Sequence, residues 1–207
     1  MVVIVNLGTA NVGSIVNMLR RVGVESEVSR DPEVIRRADR LILPGVGGFD
    51  SNAGILDEPG IRESLEAAVV KRSVPCFGIC LGMQLMCESS EEGTLSGLGW
   101  FPARVVRFPK VASDGKALRV PHMGWNRIRM LRDHAAFADV PADARFYFVH
   151  SYFMQLAESS LAIGVCEYGL EFVCAAGLGN VLAVQFHPEK SHRYGMGLMS
   201  GFARWAP

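Results

Sequence analysis

Short apolar runs alternating with stretches of helical spacing restrict the fold of this chain more than any other feature. Strand candidates fall at Val2 to Leu7, Glu25 to Ser29, Arg40 to Leu43 and Val74 to Ile79. Between them Val12, Ile15, Val16, Leu19 and Val22 recur on one helical face, with Gly23 placed to end that helix. Ile61, Leu65, Ala68 and Val69 mark a second such face. This is the pattern of βαβ units around a parallel sheet.

After Gly93 the runs become shorter and strand-like. They fall at Arg104 to Phe108, Asn126 to Met130, Arg145 to Val149, Leu161 to Glu167, Leu170 to Ala175 and Val181 to Gln185. Mixed or antiparallel pairing is expected there, followed by a closing helix from about Tyr194 with Leu198, Met199, Phe202 and Ala203 on one face. No repeat, low-complexity tract or linker interrupts the 207 residues, and an apolar share of 49% suffices for one core. The expectation is a single α/β domain over residues 1–207.

Charge and cysteine usage narrow the function classes. Lys plus Arg and Asp plus Glu are 21 each, so no long-range field favours nucleic acid or an anionic membrane. No run approaches the roughly 18 apolar residues of a membrane span, and MVVIVNLGTA lacks the charged start of an export signal. Five cysteines, none in a CxxC pair, fit a reducing cytoplasm and no structural zinc site.

Cys80 stands apart from the other four. In PCFGICLGMQ an apolar run ends at Gly78, then Cys80, and Gly82 opens a helical pattern, which is a nucleophile elbow in cysteine form. Small neighbours permit the tight strand-to-helix turn, and the helix start favours a thiolate while its amides can meet an oxyanion. Cys76, Cys87, Cys166 and Cys174 lack that setting and read as core residues. A thiol nucleophile requires a base, and the base an orienting group. His187 in VQFHPEKS follows a strand, Pro188 fixes the next turn and Glu189 supplies a carboxylate two residues on. His122, His150 and His192 remain rivals, while His134 in LRDHAAF reads as a solvated surface residue. LILPGVGGF sets Pro44 and glycines at a strand end, where the amides of Val46 and Gly47 could form the second half of an oxyanion hole. Asp50 occupies the third glycine position of a dinucleotide fingerprint, so that pattern is absent.

With these residues in place, the sequence closely resembles the class I glutamine amidotransferases. GICLGMQ is similar to their nucleophile motif and FHPEKS to their His-Glu motif. PHMGWN (Pro121 to Asn126) and YFVHSY (Tyr147 to Tyr152) are similar to strings of the glutaminase subunits of imidazole glycerol phosphate synthases. The resemblance implies a flavodoxin-like α/β fold, with a mostly parallel sheet, helices on both faces and additional antiparallel strands. It implies a Cys80-His187-Glu189 triad that hydrolyses glutamine to glutamate and ammonia without metal or organic cofactor. Glutamine would be held by Gln84, Glu92 and the backbone around Ser151 and Tyr152, with Leu81 and Val46 or Gly47 meeting the oxyanion. Asn11, Trp125, Tyr147 and Lys190 match positions facing a (β/α)-barrel synthase, bound as a heterodimer, that would take the ammonia for histidine biosynthesis. There the acceptor is a phosphoribulosyl-formimino aminoimidazole carboxamide ribotide.

Two departures leave other readings open. Where such subunits commonly read DYGxGN, this chain has Asn6, Leu7, Gly8, Thr9, Ala10 and Asn11. SSEEGTLSGLGW (Ser89 to Trp100) resembles a paralogous branch that supplies ammonia for sugar amidation in surface polysaccharide synthesis. A non-catalytic scaffold and a free-standing peptidase or γ-glutamyl hydrolase are the readings from other classes. The intact Cys80, His187 and Glu189 argue against the scaffold.

Overall fold

The computed structural model describes the whole chain, Met1–Pro207. Five parallel strands form the centre, in the order β2 (Ser26–Ser29), β1 (Val2–Val5), β3 (Arg40–Gly45), β4 (Cys76–Cys80) and β13 (Val181–Val184). From β13 the sheet continues through antiparallel β12 (Glu171–Leu178), β10 (Tyr152–Leu156) and β6 (Ala103–Arg107), with β5 (Ser89–Ser90) parallel at the edge. β11 (Ala162–Glu167) and β8 (Arg129–Met130) branch from β12, and β7 (His122–Arg127) pairs with β9 (Arg145–His150) as a separate antiparallel ribbon.

Alternation along each strand sends side chains to two apolar layers. On one face Ile4, Ile42, Phe77 and Leu182 meet Ile15 and Leu19 of α1 (Val12–Arg21) and Leu198 and Phe202 of α6 (His192–Arg204). On the other, Val3, Val5, Leu41, Leu43 and Ala183 meet four helices. These are α2 (Pro32–Arg37), α3 (Phe49–Leu56), α4 (Ile61–Glu66) and α5 (Leu81–Leu85), with Ile35, Ala53, Leu65 and Met83. Phe77 and Phe202 are fully buried with ring centroids 5.1 Å apart. Phe202→Ala would leave a cavity between sheet and helix and cost about 3–5 kcal/mol.

The central α/β alternation follows the sequence pattern, with instructive differences. The helix expected over Ile61 to Val69 is α4 continued by a π-helical turn, Ala67–Lys71. α2 is capped by Asp31, whose side chain accepts the Glu33 N–H at 2.8 Å, with Pro32 at its first position. It buries only Ile35, too little for a periodic stripe. The run expected at Asn126 to Met130 is divided between β7 and β8. β10 follows β9 after the single residue Ser151, where the chain passes from the ribbon into the main sheet. No helix is long and apolar enough to cross a membrane.

Candidate active site

Strand register gathers the predicted residues at one sheet edge. Gly45 pairs with Cys80 across β3 and β4, and Ile79 with Val184 across β4 and β13. The glycine turn after β3, Cys80 at the end of β4 and His187 beyond β13 therefore share the carboxyl edge, where open α/β sheets place ligands.

Cys80 adopts φ 56° and ψ −110°, in left-handed space that costs a non-glycine residue about 1–3 kcal/mol. Two features hold it there. Gly82 packs so closely on β3 that a Cβ would lie 1.8 Å from the Leu43 carbonyl oxygen, and a Cβ on Gly78 would press on Met86. α5 ends at Leu85, where amides of Leu98, Phe101 and Gly99 take the carbonyls of Leu85, Met86 and Cys87. Support for a thiolate from this helix is thus limited to first-turn amides. The other four cysteines are buried, and burial raises their thiol pKa values, that of Cys166 to about 12.

His187 Nδ1 lies 2.7 Å from Glu189 Oε1, both side chains being at least nine-tenths buried. Nε2 makes no formed hydrogen bond. Burial pulls the imidazolium pKa down, but the neighbouring Cys80 sulfur and then Glu189 outweigh it, raising His187 to about 10. The turn is fixed from outside: His187 N–H donates to Tyr147 O at 2.9 Å, and the buried Ser191 hydroxyl donates to His187 O at 2.6 Å while accepting Tyr147 N–H at 3.0 Å.

The rival histidines are otherwise engaged. His150 Nδ1 lies 2.7 Å from Tyr152 O and Nε2 3.1 Å from His122 Nδ1. Burial lowers His150 to about 3 and His122 to about 4, so both stay neutral. His192 is exposed and stacked on Trp125 at 5.4 Å. His134 is half-buried against Trp205 and accepts the Ala136 N–H, which corrects the solvated reading.

A cavity of about 310 Å³ opens beside Cys80 and His187. Val46, Gly47, Leu81, Gln84, Glu92, Ser151 and Tyr152 all line it. Gln84 Nε2 donates to Tyr152 O at 3.0 Å and to Gln185 Oε1 at 3.1 Å, leaving only its oxygen to face a ligand, an acceptor suited to an ammonium group. Glu92 Oε2 accepts the Phe49 N–H at 3.0 Å. Gln185, fully buried, places Nε2 3.8 Å from Cys80 Sγ. Gln185 and Ser191 are not among the predicted site residues although both fall within VQFHPEKS; their burial beside Cys80 and His187 brings them into view.

Beyond His187, Asn11 and Lys190 border a crevice of about 20 Å³ that His187 and Glu189 also line. Trp125, 45% exposed, and Tyr147 lie edge to face at 6.1 Å, and Lys190 Nζ sits 5.6 Å from the Tyr147 ring centre. All four predicted docking residues therefore lie beside or beyond the His187 turn.

Residues 3–202 match the family Glutamine amidotransferase class-I. The HisH component of imidazole glycerol phosphate synthase from Bdellovibrio bacteriovorus is 42% identical over 98% of this chain and 99% of its own. HisH 2 of the same synthase from Methanococcus maripaludis is 43% identical over the full length of both. Among solved structures, a putative GMP synthase component from Thermoplasma acidophilum superposes with a TM-score of 0.72 at 18% identity, covering 97% of this chain and 90% of that one. A second structure, described as a glutamine amidotransferase, gives 0.72 at 20% identity over 96% and 98%; both likenesses speak for the fold alone. Shared architecture and full-length sequence similarity agree: the chain belongs to the class I glutamine amidotransferases, within the family of imidazole glycerol phosphate synthase HisH subunits.

Proposed function

We propose that this chain is the glutaminase subunit of an imidazole glycerol phosphate synthase, with Cys80 as nucleophile, His187 as acid and base, and Glu189 as orienting carboxylate. The observation that carries this reading is the buried Cys80, His187 and Glu189 cluster opening on a cavity of about 310 Å³. Glu189 takes the Nδ1 side of the ring and directs Nε2 toward the sulfur. The raised His187 pKa favours an imidazolium beside the Cys80 sulfur.

The thiolate attacks the glutamine carboxamide carbon, and the developing oxyanion meets the amides of Leu81 and of Val46 or Gly47. His187 donates its proton to the departing nitrogen, releasing ammonia and leaving a γ-glutamyl thioester. Neutral His187 then takes a proton from water, whose oxygen adds to the thioester, and collapse returns glutamate and the thiolate. Oxyanion donors contribute about 3–4 kcal/mol at each tetrahedral stage. Gln84 Oε1 and Glu92 hold the α-ammonium group, and backbone near Ser151 and Tyr152 the α-carboxylate.

The partner is a (β/α)-barrel synthase, bound as a heterodimer in the cytoplasm over Asn11, Trp125, Tyr147 and Lys190. Ammonia passes to it and is used to form imidazole glycerol phosphate and aminoimidazole carboxamide ribotide. The names of the relatives favour this acceptor over a nucleotide-linked sugar. Product formation by the reconstituted pair with each acceptor tests the choice. Turnover of the sugar and none of the ribotide would reverse it.

A further inference from the structure

Asp50, the residue that breaks the dinucleotide pattern, and the string SSEEGTLSGLGW meet in the structure. Asp50 stands in the first turn of α3. The Thr94 N–H reaches both of its carboxylate oxygens at 2.9 Å, the Leu95 N–H donates to Oδ1 at 3.0 Å, and the Thr94 hydroxyl donates to Oδ2 at 3.2 Å. In the reverse direction, the Phe49 N–H donates to Glu92 Oε2 at 3.0 Å. Adjacent residues of α3 thus exchange carboxylate-to-amide hydrogen bonds with the loop, a class stronger than neutral ones. The amides of Leu95 and Thr94 hold the Asp50 carboxyl below the usual carboxylate range, so it stays ionised at neutral pH.

Little else holds this stretch. Glu91 N–H donates to Val105 O at 2.9 Å before it, and Gly97 N–H donates to Glu88 O at 3.1 Å after it. Between these anchors Glu92 and Gly93 bond back to Ser90, and the remaining hydrogen bonds of residues 92–96 all run to α3. A Cβ on Gly93 would lie 1.9 Å from Asp50 Oδ1, so the residue after Glu92 rests directly on the carboxylate. Glu92 is exposed, and packing does little to fix its side chain. Its direction comes from its backbone, which Asp50 seats, and from the Phe49 amide. With Oε2 on that amide, Oε1 is left for a cation in the cavity that Glu92 and Gln84 line.

We propose that Asp50 is a positioning residue for Glu92, and that through Glu92 it sets how strongly the site prefers a substrate with a free α-ammonium group. This deepens the functional reading above and rests on it. Asp50 touches neither the substrate nor the reacting atoms. It acts by keeping the Glu92 carboxylate ordered before glutamine arrives, so that less freedom is lost on binding. The reacting carboxamide lies at the other end of the substrate, beside Cys80, and does not depend on Asp50.

The test compares kcat/KM for glutamine and for glutaramate, which is glutamine without its α-amino group, in the full chain bound to its barrel partner and acceptor ribotide. Asp50→Ala should raise the glutamine KM about tenfold with kcat within about twofold, part of what a charged hydrogen bond is worth. Glutaramate, which offers Glu92 no ammonium, should be turned over as by the wild type, so the preference for glutamine falls about tenfold. Asp50→Asn keeps one oxygen for the two amides and should restore most of that preference. Asp50→Ala added to Glu92→Ala should lower the preference no further. If Asp50→Ala unfolds, Asp50→Ser carries the same comparison, since its short side chain cannot span both amides. An unchanged preference in Asp50→Ala, or an equal loss for both substrates, overturns this inference alone. A wild type that turns over glutaramate as well as glutamine overturns it together with the role given to Glu92, and a wild type inactive on glutamine overturns the glutaminase reading itself.

Discussion

The carbonyl of Tyr147 accepts the backbone N–H of His187 at 2.9 Å, so the strand that presents the exposed aromatic patch also holds the histidine turn. Ser191 doubles the connection by bonding the backbone of both residues. In the proposed complex, a contact on the outer face of Tyr147 is thus one peptide away from the group assigned to move protons. The proposal therefore joins docking and chemistry through backbone, and side-chain substitutions can separate them.

Lys190 tests the docking side of that connection. Its ammonium lies over the Tyr147 ring and is exposed, so Lys190→Ala removes little from the fold, within about 0.5 kcal/mol. Affinity for the barrel partner and partner-stimulated hydrolysis should both fall. Unchanged values in both would remove Lys190 from the interface.

The Cys80 sulfur and then Glu189 raise the His187 pKa against burial, so Glu189→Gln should lower it. The mechanism needs an imidazolium to protonate the leaving nitrogen, and a pKa raised to about 10 favours that form at neutral pH. Activity that depends on it is present below that value and lost as pH rises through it. In Glu189→Gln the alkaline limb of kcat/KM should move to lower pH, with kcat reduced less than in His187→Asn. An unmoved limb would mean that Glu189 does not govern the proton.

Gln185 offers its amide N–H to the Cys80 sulfur, with polarity fixed by Gln84 on its other side. Replacing that donor with a carboxylate should destabilise the thiolate. Gln185→Glu should slow alkylation of Cys80 by iodoacetamide at neutral pH and shift the rate-against-pH curve upward, with Cys80→Ser as the blank. The other cysteines contribute little, since burial keeps their thiols protonated. An unchanged curve would show that the 3.8 Å contact does not act on the sulfur.

Gly47 provides a test of the glycine turn. A Cβ there meets nothing within 4 Å, so Gly47→Ala is opposed by backbone conformation alone, by about 1–2 kcal/mol at its positive φ. The substitution should weaken partner stimulation at a nearly constant glutamine KM. A large rise in KM would instead mean that the turn binds the ground-state substrate.

Much of this was legible in the residue pattern, for identifiable reasons. Buried parallel strands require continuous apolar runs, which made β1, β3, β4 and β13 visible, and the elbow is marked by the two glycines that its geometry demands. What escaped depends on tertiary partners. α3, FDSNAGIL, is not among the elements expected from the pattern, yet Asp50 in it binds the amides of Thr94 and Leu95 and Asn52 pins the glycine turn. β10 follows β9 with no Gly or Pro between them because Ser151 changes sheets without a reversal signal. His150, an open candidate on sequence alone, is excluded as a base by a neighbour 28 residues away that occupies its Nε2.

The central claim is that nitrogen from glutamine is released at Cys80 and delivered to the acceptor on the partner. Its most direct measurement follows amide-labelled glutamine through the reconstituted pair, with excess unlabelled ammonium present. Wild type should place the label in imidazole glycerol phosphate despite the competing ammonium. Cys80→Ser should release no labelled nitrogen, while still binding the partner and supporting synthesis from ammonium. Label appearing in the product of Cys80→Ser, or label diluted to the level of free ammonium in the wild type, would contradict the account.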